Sequence, residues 1–190
     1  MKTKILSVVL LALALLSAVS SAQTPDKAKL EQFFDRLAEK NKAMGSLVVA
    51  RDGNPLYTRS IGYSRIDGSE KKSLTSATRF RVGSITKMFT AVLVFQLVEE
   101  GKLNLSDTLD KFFPQLRNAR KITVAHVLAH RSGIHDRTED RDFRTFGTTP
   151  KTREELLAFI ATGTPDFEPD AKFSYSNSGY ILLALLVEKV

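Results

Sequence analysis

The sequence of 190 residues contains no cysteine. This absence excludes disulfide bonds, thiol nucleophiles, cysteine metal sites and lipid attachment through an N-terminal cysteine. A protein without such cross-links depends on its hydrophobic core for stability. The composition allows a core, because 43% of the residues are hydrophobic and 26% are charged, which is ordinary for globular domains.

Features of several other protein classes are also missing. The sequence has no internal repeat and no low-complexity linker, and beyond residue 22 it has no apolar run of the roughly 20 residues that a membrane span needs. Its formal net charge is +7, but the lysines and arginines are scattered and are not interleaved with aromatic residues. We therefore expect a solvated basic surface and no nucleic-acid partner.

Residues 1–22 show the three parts of a secretory signal peptide. Lys2 and Lys4 make the start positive, residues 5–16 are apolar apart from Ser7, and small residues lead up to Ala22. This order predicts cleavage after Ala22 and export to the periplasm or the extracellular space. The alternative is a membrane anchor, which the short apolar run disfavours. The mature chain, 23–190, is predicted to be one domain.

Hydrophobic periodicity predicts mostly helices in the mature chain. The segment 46–50 is predicted to be a buried strand, a turn follows at 52–55, and the segment 56–61 returns, so the two segments predict a hairpin. The polar segments 64–78 and 135–150 are predicted to be loops. Helices are expected over 26–42, 84–100, 110–113, 123–129, 153–161 and 180–190. The helix that starts at Ser84 is apolar all round, which predicts that it is buried inside the domain.

The segment 83–87, GSITK, places a serine and a lysine three positions apart. On a helix, Ser84 and Lys87 would share one face, where a neutral lysine can take the proton of the serine hydroxyl. Ser84 would then be a nucleophile towards a carbonyl carbon. The spacing is weak by itself, because Ser69 and Lys72 repeat it in a charged segment. The alternative is that Ser84 only caps a helix and Lys87 is exposed.

A second motif, Tyr175-Ser176-Asn177, is the one Tyr-x-Asn sequence in the chain. Residues two apart in an extended segment point the same way, so this phenol and this amide would face one cleft. Tyr175 would relay a proton to the leaving group, and Asn177 would hold Lys87 and a substrate carbonyl. The alternative is a structural turn in which these polar residues and Gly179 shape the backbone.

Together these segments resemble the serine β-lactamases and the penicillin-recognising D,D-peptidases. The segment 81–87, RVGSITK, is similar to their nucleophile segment. The segment 173–180, FSYSNSGY, is similar to the second motif of the Tyr-x-Asn branch, which holds class C β-lactamases, D-alanyl-D-alanine carboxypeptidases and related esterases. Between them, 101–107 (GKLNLSD) and 128–134 (LAHRSGI) also resemble that branch, in the same order. The resemblance runs from about residue 27 to residue 190.

The resemblance implies an α+β fold, in which helices flank an antiparallel sheet and a mostly helical region lies beside it. It also implies a role for each motif residue. Ser84 would be the acylated nucleophile, and its backbone N–H would form half of an oxyanion hole. Lys87 would be the base or its proton partner, Tyr175 would carry protons in acylation and deacylation, and Asn177 would position Lys87 and the substrate.

The implied activity is that of an exported serine hydrolase that acts through an acyl-enzyme on an amide or ester carbonyl. Its substrate would be a small molecule or a peptide: a D-alanyl-D-alanine peptide such as a peptidoglycan stem peptide, a β-lactam or a small ester. No metal and no organic cofactor is implied.

The sequence also departs from the pattern of the family. The third motif, Lys-Thr-Gly or His-x-Gly, is missing, because the chain contains no Lys-x-Gly and no His-x-Gly. The apolar segment 180–190 carries no helix-ending signal, so we expect further sequence after Val190. The non-enzymatic alternative is a truncated remnant that binds a cell-wall peptide or is inactive. Smaller departures are Arg131, where the family often has threonine, and Asp170, where glycine is usual.

Two other site chemistries have candidate residues. His126 and His130 are four apart on a predicted helix, which is a possible zinc spacing, and His135 and Asp136 follow. No glutamate stands beside His126, as it would in a metalloprotease helix. A Ser-His-Asp triad lacks the Gly-x-Ser-x-Gly elbow that would present its serine. Both are weaker hypotheses than the acyl-enzyme.

Overall fold

A computed structural model describes residues 24–190, which form two compact units that meet in sequence at Phe80 and Arg81. The predicted signal peptide, 1–22, lies outside the described residues. Within the described part, every helix falls short of the length and apolar content that crossing a bilayer requires.

The first unit contains the predicted helix and hairpin. Helix α1 spans Lys27–Glu39, and the side chain of Asp26 caps it by accepting a hydrogen bond from the backbone N–H of Lys29 at 3.1 Å. Strands β1 (Gly45–Arg51) and β2 (Asn54–Ile61) pair antiparallel, with a bulge after Val49. Both predictions are therefore confirmed in kind, although the helix is a few residues shorter than expected.

Helix α1 packs on β2 through one aromatic pair and one charged cluster. The rings of Phe34 and Tyr57 stack with their centroids 6.4 Å apart. Arg59 on β2 forms ion pairs with Glu31, at 2.7 Å, and with Asp35, both on α1. The helix therefore covers one strand of the hairpin with apolar and charged contacts together.

The polar segment 64–78 contains a second hairpin, so the prediction of a loop was wrong. Strands β3 (Tyr63–Asp67) and β4 (Glu70–Ser73) pair antiparallel and form a separate two-stranded sheet. Most of their residues are exposed, so neither strand carries the alternating apolar pattern by which a half-buried strand is identified. The two strands are held together by backbone hydrogen bonds, which do not require any particular pattern of side chains.

The second unit is helical. A 3-10 turn at Gly83–Ile85 leads into helix α2 (Thr86–Glu99). The other helices are α3 (Val124–Leu128), α4 (Phe143–Phe146), α5 (Arg153–Ala161) and α6 (Asn177–Lys189), with 3-10 turns at Leu109–Lys111 and Arg137–Glu139.

Three predictions for this unit need correction. The segment 135–150 is not a plain loop, because it holds the Arg137–Glu139 turn and α4. The helix expected at 110–113 is a single 3-10 turn. Helix α6 starts three residues before Tyr180, because Ser176 caps it: its side chain accepts a hydrogen bond from the N–H of Gly179 at 3.1 Å. The second motif therefore lies at a helix start and not wholly within a loop.

Helix α6 is the centre of the core. Leu182, Leu183 and Leu186 are fully shielded from solvent. Gly179 lets α6 approach α3 closely, since a Cβ at this position would lie 3.1 Å from Cγ1 of Val127. Leu185, also on α6, belongs to the same core. The other buried apolar residues come from the surrounding segments: Val94, Leu103, Leu109, Phe113, Leu116, Ala119, Ile122, Val124, Val127 and Ile160.

Helix α2 is not buried, contrary to the prediction from its composition. Val94 is its one buried residue, whereas the side chains of Met88, Phe89 and Val92 are more than half exposed. One face of α2 packs against α6. The apolar composition of α2 shows that every face of the helix is suited to burial. It does not follow that other described residues cover every face.

Because Leu186 lies in the core, shortening its side chain should lower the stability of the protein considerably. We expect Leu186→Ala to lower the free energy of unfolding by about 3 kcal/mol, because a fully buried leucine leaves a cavity. Leu93→Ala is the matched control: that side chain is half exposed, so the change should be below about 0.5 kcal/mol. Urea unfolding followed by circular dichroism measures both, and equal losses would contradict this account of the core.

Candidate active site

Ser84 lies at the entry to helix α2. Gly83 before it has φ = +53°, a left-handed conformation that residues with a side chain rarely adopt, and the chain then turns through Gly83–Ile85 into the helix. Lys87 follows in the first turn of α2, where its Nζ is 3.4 Å from Ser84 Oγ. The serine and the lysine therefore share one face, as their spacing predicts.

The Tyr-x-Asn segment meets this pair from the start of α6. The hydroxyl of Tyr175 is hydrogen-bonded to Ser84 Oγ at 2.7 Å. Asn177, the first residue of α6, accepts a hydrogen bond at Oδ1 from Lys87 Nζ at 2.7 Å. The structure thus brings together all four side chains that the sequence singled out, from positions some 90 residues apart.

The cation of Lys87 also lies against aromatic rings. Its Nζ is 4.7 Å from the ring centre of Tyr175 and 5.5 Å from that of Tyr180. Lys87 first, and then the hydrogen bond with Ser84, hold the pKa of the Tyr175 phenol below its usual value of 10.0. Burial raises the pKa of the neighbouring Tyr180 instead. Tyr175 is therefore the tyrosine of this pair that is disposed to act as a proton acceptor.

Sequence reasoning missed two polar side chains behind Asn177. Its Nδ2 donates to Oδ2 of Asp136 at 2.9 Å and to Oγ1 of Thr138 at 3.0 Å. Asp136 entered the sequence analysis only as a possible metal ligand. A single aspartate in a charged segment gives no sign that it will be buried, so its contact with Asn177 could not be read from the sequence.

Asp136 is a buried carboxylate with four donors around it, and 7% of it is exposed. Oδ2 also accepts from the backbone N–H of Asn177 at 2.9 Å, and Oδ1 accepts from the N–H and the hydroxyl of Thr138. Burial acts to raise the pKa of Asp136, but these hydrogen bonds outweigh it, so the pKa is lowered. Asp136 therefore carries a negative charge behind the site.

His130 supports the segment that carries Tyr175. Its ring stacks on the ring of Tyr175, with the centroids 4.5 Å apart, and its Nδ1 accepts a hydrogen bond from the N–H of Ser176 at 3.1 Å. Burial first, and the nearby charge of Lys87 second, lower the pKa of His130. A neutral imidazole suits this position, because it keeps a lone pair for Ser176 and avoids a second cation beside Lys87.

The three histidines that were considered as metal ligands have other hydrogen-bond partners in the structure. His126 caps α3, where its Nδ1 accepts from the N–H of Thr123 at 3.2 Å, and His130 serves the backbone as described above. His135 lies between Asp140, at 3.1 Å, and Asp166, at 2.8 Å. Among residues 24–190, no group of three or more His, Asp or Glu residues is arranged to hold a metal ion.

The two smaller departures from the family pattern contact each other. Arg131 Nε donates to Oδ1 of Asp170 at 2.5 Å, and the backbone N–H of Asp170 bonds to the carbonyl of Arg131 at 2.8 Å. Asp170 has φ = +68°, a conformation that explains why glycine is usual at this position. The pair joins the segment after His130 to the segment that leads to Tyr175.

A cavity of about 540 Å³ opens beside Ser84 and Lys87. Its wall is formed by α2, α6 and two residues of the 135–150 segment. The other side chains that line it are mostly small or apolar: Thr86, Thr90, Thr138, Phe143, Tyr180, Ile181 and Ala184. A substrate that reaches Ser84 from this side would meet one cation and a largely uncharged surface.

Comparison with known proteins assigns this arrangement to a family. The family model described as Beta-lactamase matches residues 30–190. Penicillin-binding protein 4* of Bacillus subtilis (strain 168) is 32% identical over 164 residues, which are 84% of this chain and 35% of that protein. The chain thus spans about a third of the length of the curated relatives it matches.

Solved structures show the same similarity. The octameric penicillin-binding protein homologue of Pyrococcus abyssi aligns with a TM-score of 0.70 and 32% identity, over 87% of this chain and 39% of that one. The D-amino acid amidase of Ochrobactrum anthropi SV3, in complex with L-phenylalanine amide, aligns with a TM-score of 0.68 and 27% identity, over 80% and 42%. The chain belongs to the beta-lactamase family of serine hydrolases, with its α+β fold.

The environment of Tyr175 predicts an early tyrosine titration. The ultraviolet absorbance of tyrosinate should show one component below the usual pKa of 10.0, because Lys87 and Ser84 favour the phenolate. Tyr175→Phe should remove this component, and Lys87→Met should move it to higher pH. Tyr57→Phe is the control, because burial raises the pKa of Tyr57, so its loss should affect only the late part of the titration. An unchanged early component in Tyr175→Phe would refute the assignment.

Proposed function

We propose that this chain carries the acylation centre of an exported serine hydrolase that cleaves amide or ester bonds through an acyl-enzyme on Ser84. One observation carries the proposal: Ser84 Oγ is hydrogen-bonded to Tyr175 OH at 2.7 Å, with Lys87 Nζ next to both. A serine hydroxyl is a poor nucleophile unless a base takes its proton, and this contact supplies one. Family membership supports the same chemistry.

Acylation uses the groups in a fixed order. The Tyr175 phenolate accepts the proton of Ser84 as Oγ bonds to the substrate carbonyl carbon. The backbone N–H of Ser84 stabilises the resulting oxyanion, since Ser84 lies in the 3-10 turn that opens α2, and the first N–H groups of a helical segment have no partner within it. The bond to the leaving amine or alcohol then breaks, and Tyr175 returns the proton to the leaving group.

Lys87 and Asn177 keep this proton transfer possible. The ammonium of Lys87 favours the phenolate form of Tyr175, and Asn177 holds the ammonium in place through Oδ1. In deacylation, a water molecule gives its proton to Tyr175 and attacks the acyl carbon. The bond between the acyl carbon and Ser84 Oγ then breaks, the acid leaves, and Tyr175 gives its proton to Oγ, which regenerates the starting state.

The substrate class proposed here is a small amide or ester: a D-alanyl-D-alanine peptide such as a peptidoglycan stem peptide, a β-lactam or a small ester. The largely uncharged cavity beside Ser84 suits the acyl part of such molecules. The named relatives point the same way, since they include a penicillin-binding protein and a D-amino acid amidase.

Covalent trapping tests the nucleophile. Incubation with a labelled penicillin or an activated ester should leave one acyl group on the peptide that contains Ser84, and Ser84→Ala should abolish it. Lys87→Ala should slow labelling by roughly 10²–10⁴-fold, the usual contribution of proton-transfer catalysis. The chain supplies its own control: Ser69→Ala and Lys72→Ala change the other Ser-x-x-Lys pair, which lies at the β3–β4 hairpin, and should leave labelling unchanged.

The outcomes separate the two hypotheses of the sequence analysis. An adduct that persists in Ser84→Ala would overturn the assignment of the nucleophile. A wild-type chain that binds penicillin or a wall peptide without forming an adduct would favour the non-catalytic remnant. The mass of the labelled peptide distinguishes these results directly.

Export is tested with the complete sequence expressed in a bacterium. The protein recovered from the periplasm or medium should begin at Gln23, because cleavage is expected after Ala22. Leu11→Arg should keep the uncleaved protein inside the cell by interrupting the apolar run, whereas Ser7→Ala should not affect export. A full-length N-terminus on the exported wild-type protein would contradict the signal-peptide proposal.

A further inference from the structure

The amide of Asn177 lies between two groups that fix its orientation. On one side, Lys87 can only donate hydrogen bonds, so it needs the oxygen Oδ1. On the other side, the carboxylate of Asp136 can only accept, so it needs the nitrogen Nδ2. An amide has one end of each kind, and the observed orientation satisfies both neighbours.

We propose that Asp136 is a positioning residue of the acylation centre, which sets the orientation of the Asn177 amide and through it the place of Lys87. The proposal rests on the proposed function, since positioning has a catalytic meaning only if Ser84 is acylated. Asp136 makes no hydrogen bond to Ser84, Lys87 or Tyr175 among the described residues, so it positions Lys87 through Asn177, while its negative charge acts separately to raise the pKa of Tyr175.

The burial of Asp136 makes its influence strong. Its charge is shielded from water, and each carboxylate oxygen accepts two hydrogen bonds, from Asn177 on one side and Thr138 on the other. A flipped Asn177 would set Oδ1 against this carboxylate and Nδ2 against the ammonium of Lys87. Both contacts would then join like groups, and Lys87 would lose its 2.7 Å hydrogen bond.

Thr138 assists this orientation but does not decide it. Its hydroxyl accepts from Nδ2 of Asn177 and donates to Oδ1 of Asp136 at 2.8 Å. A hydroxyl can also donate, so it would tolerate a flipped amide, whereas the carboxylate would not. The decisive group is therefore Asp136.

A purely structural role for Asp136 has to be separated from positioning. Asp136 also holds the backbone N–H of Asn177 at the start of α6 and the backbone N–H of Thr138 in the turn after it. Its loss could slow a reaction simply by loosening these segments. A swap of donor and acceptor distinguishes the two roles. It restores the polarity between the side chains at 136 and 177, but it does not restore the acceptor that Oδ2 offers to the backbone N–H of residue 177.

The experiment measures the rate of Ser84 labelling by an activated ester in the full chain. Asp136→Asn should lower the rate roughly 10- to 100-fold, since misplacing a catalytic group by about 1 Å has an effect of this size. Asn177→Asp alone should also be slow, because it sets two carboxylates face to face. The double variant Asp136→Asn/Asn177→Asp should be faster than either single variant. The amide nitrogen at 136 would then donate to one carboxylate oxygen at 177, and the other oxygen at 177 would accept from Lys87.

The matched control is Asp142→Asn, which neutralises an exposed carboxylate of the same segment that pairs only with Arg137 in the ion pairs of the described residues. It should leave the labelling rate unchanged. A double variant that is no faster than the faster single variant would overturn the positioning role, and so would an Asp136→Asn protein that is labelled at the wild-type rate.

A measurement that needs no reaction keeps this proposal distinct from the proposed function. The side-chain amide protons of Asn177, assigned by their loss in Asn177→Asp, should exchange slowly in the NMR spectrum of the wild-type protein. Asp136→Asn should shift them and speed their exchange, whereas Asp142→Asn should not. Unchanged resonances would refute the orientation by Asp136, whether or not Ser84 is acylated.

Circular dichroism will show whether Asp136→Asn folds. If it does not fold, Thr138→Val is the variant that tests the proposal. This variant keeps the charge of Asp136 but removes the hydroxyl that accepts from Nδ2 of Asn177 and donates to Oδ1 of Asp136. The amide of Asn177 should exchange faster yet keep its orientation, and labelling should fall less than tenfold. A larger loss than in Asn177→Asp would assign the decisive role to Thr138 and overturn the proposal for Asp136.

Discussion

The hydrogen bond from Lys87 to Asn177 joins the first turns of α2 and α6, and the geometry of the site depends on it. Ser84 lies two residues before the start of α2 and Tyr175 two residues before the start of α6, so the distance between the two helix starts sets the distance between nucleophile and phenol. A hydrogen bond to a charged group contributes about 1.5 to 3 kcal/mol, which is too little to hold two helices by itself. The bond works because packing has already placed the helices.

Helix α6 serves both the packing and the chemistry, but with different parts of its length. The start of α6 is polar and reaches the site through Asn177, while the leucines one to two turns further on fill the core. Gly179 connects the two parts by letting α6 lie against α3. A change in the site can therefore leave the core intact, and a change in the core moves the frame on which the site is built.

Short-range patterns predicted much of this arrangement. Spacing placed Ser84 and Lys87 on one face, because three residues nearly complete a helical turn. Hydrophobic periodicity predicted α5 with its observed bounds, 153–161. The role of Asp136 was not predictable, because burial of a carboxylate follows from tertiary structure and not from neighbouring residues. The exposed faces of α2 and the polar β3–β4 hairpin were missed for the related reason that composition does not show which surfaces meet.

The contact between Arg131 and Asp170 couples two positions energetically. Aspartate tolerates a left-handed backbone less well than glycine does, and the nearby guanidinium offsets part of that disadvantage by pairing with its carboxylate. Glycine at 170 would relieve the backbone but leave Arg131 without this partner, and threonine at 131 would leave the Asp170 carboxylate without its guanidinium. The effect of either replacement on stability therefore depends on the residue at the other position, so the two effects should not be additive.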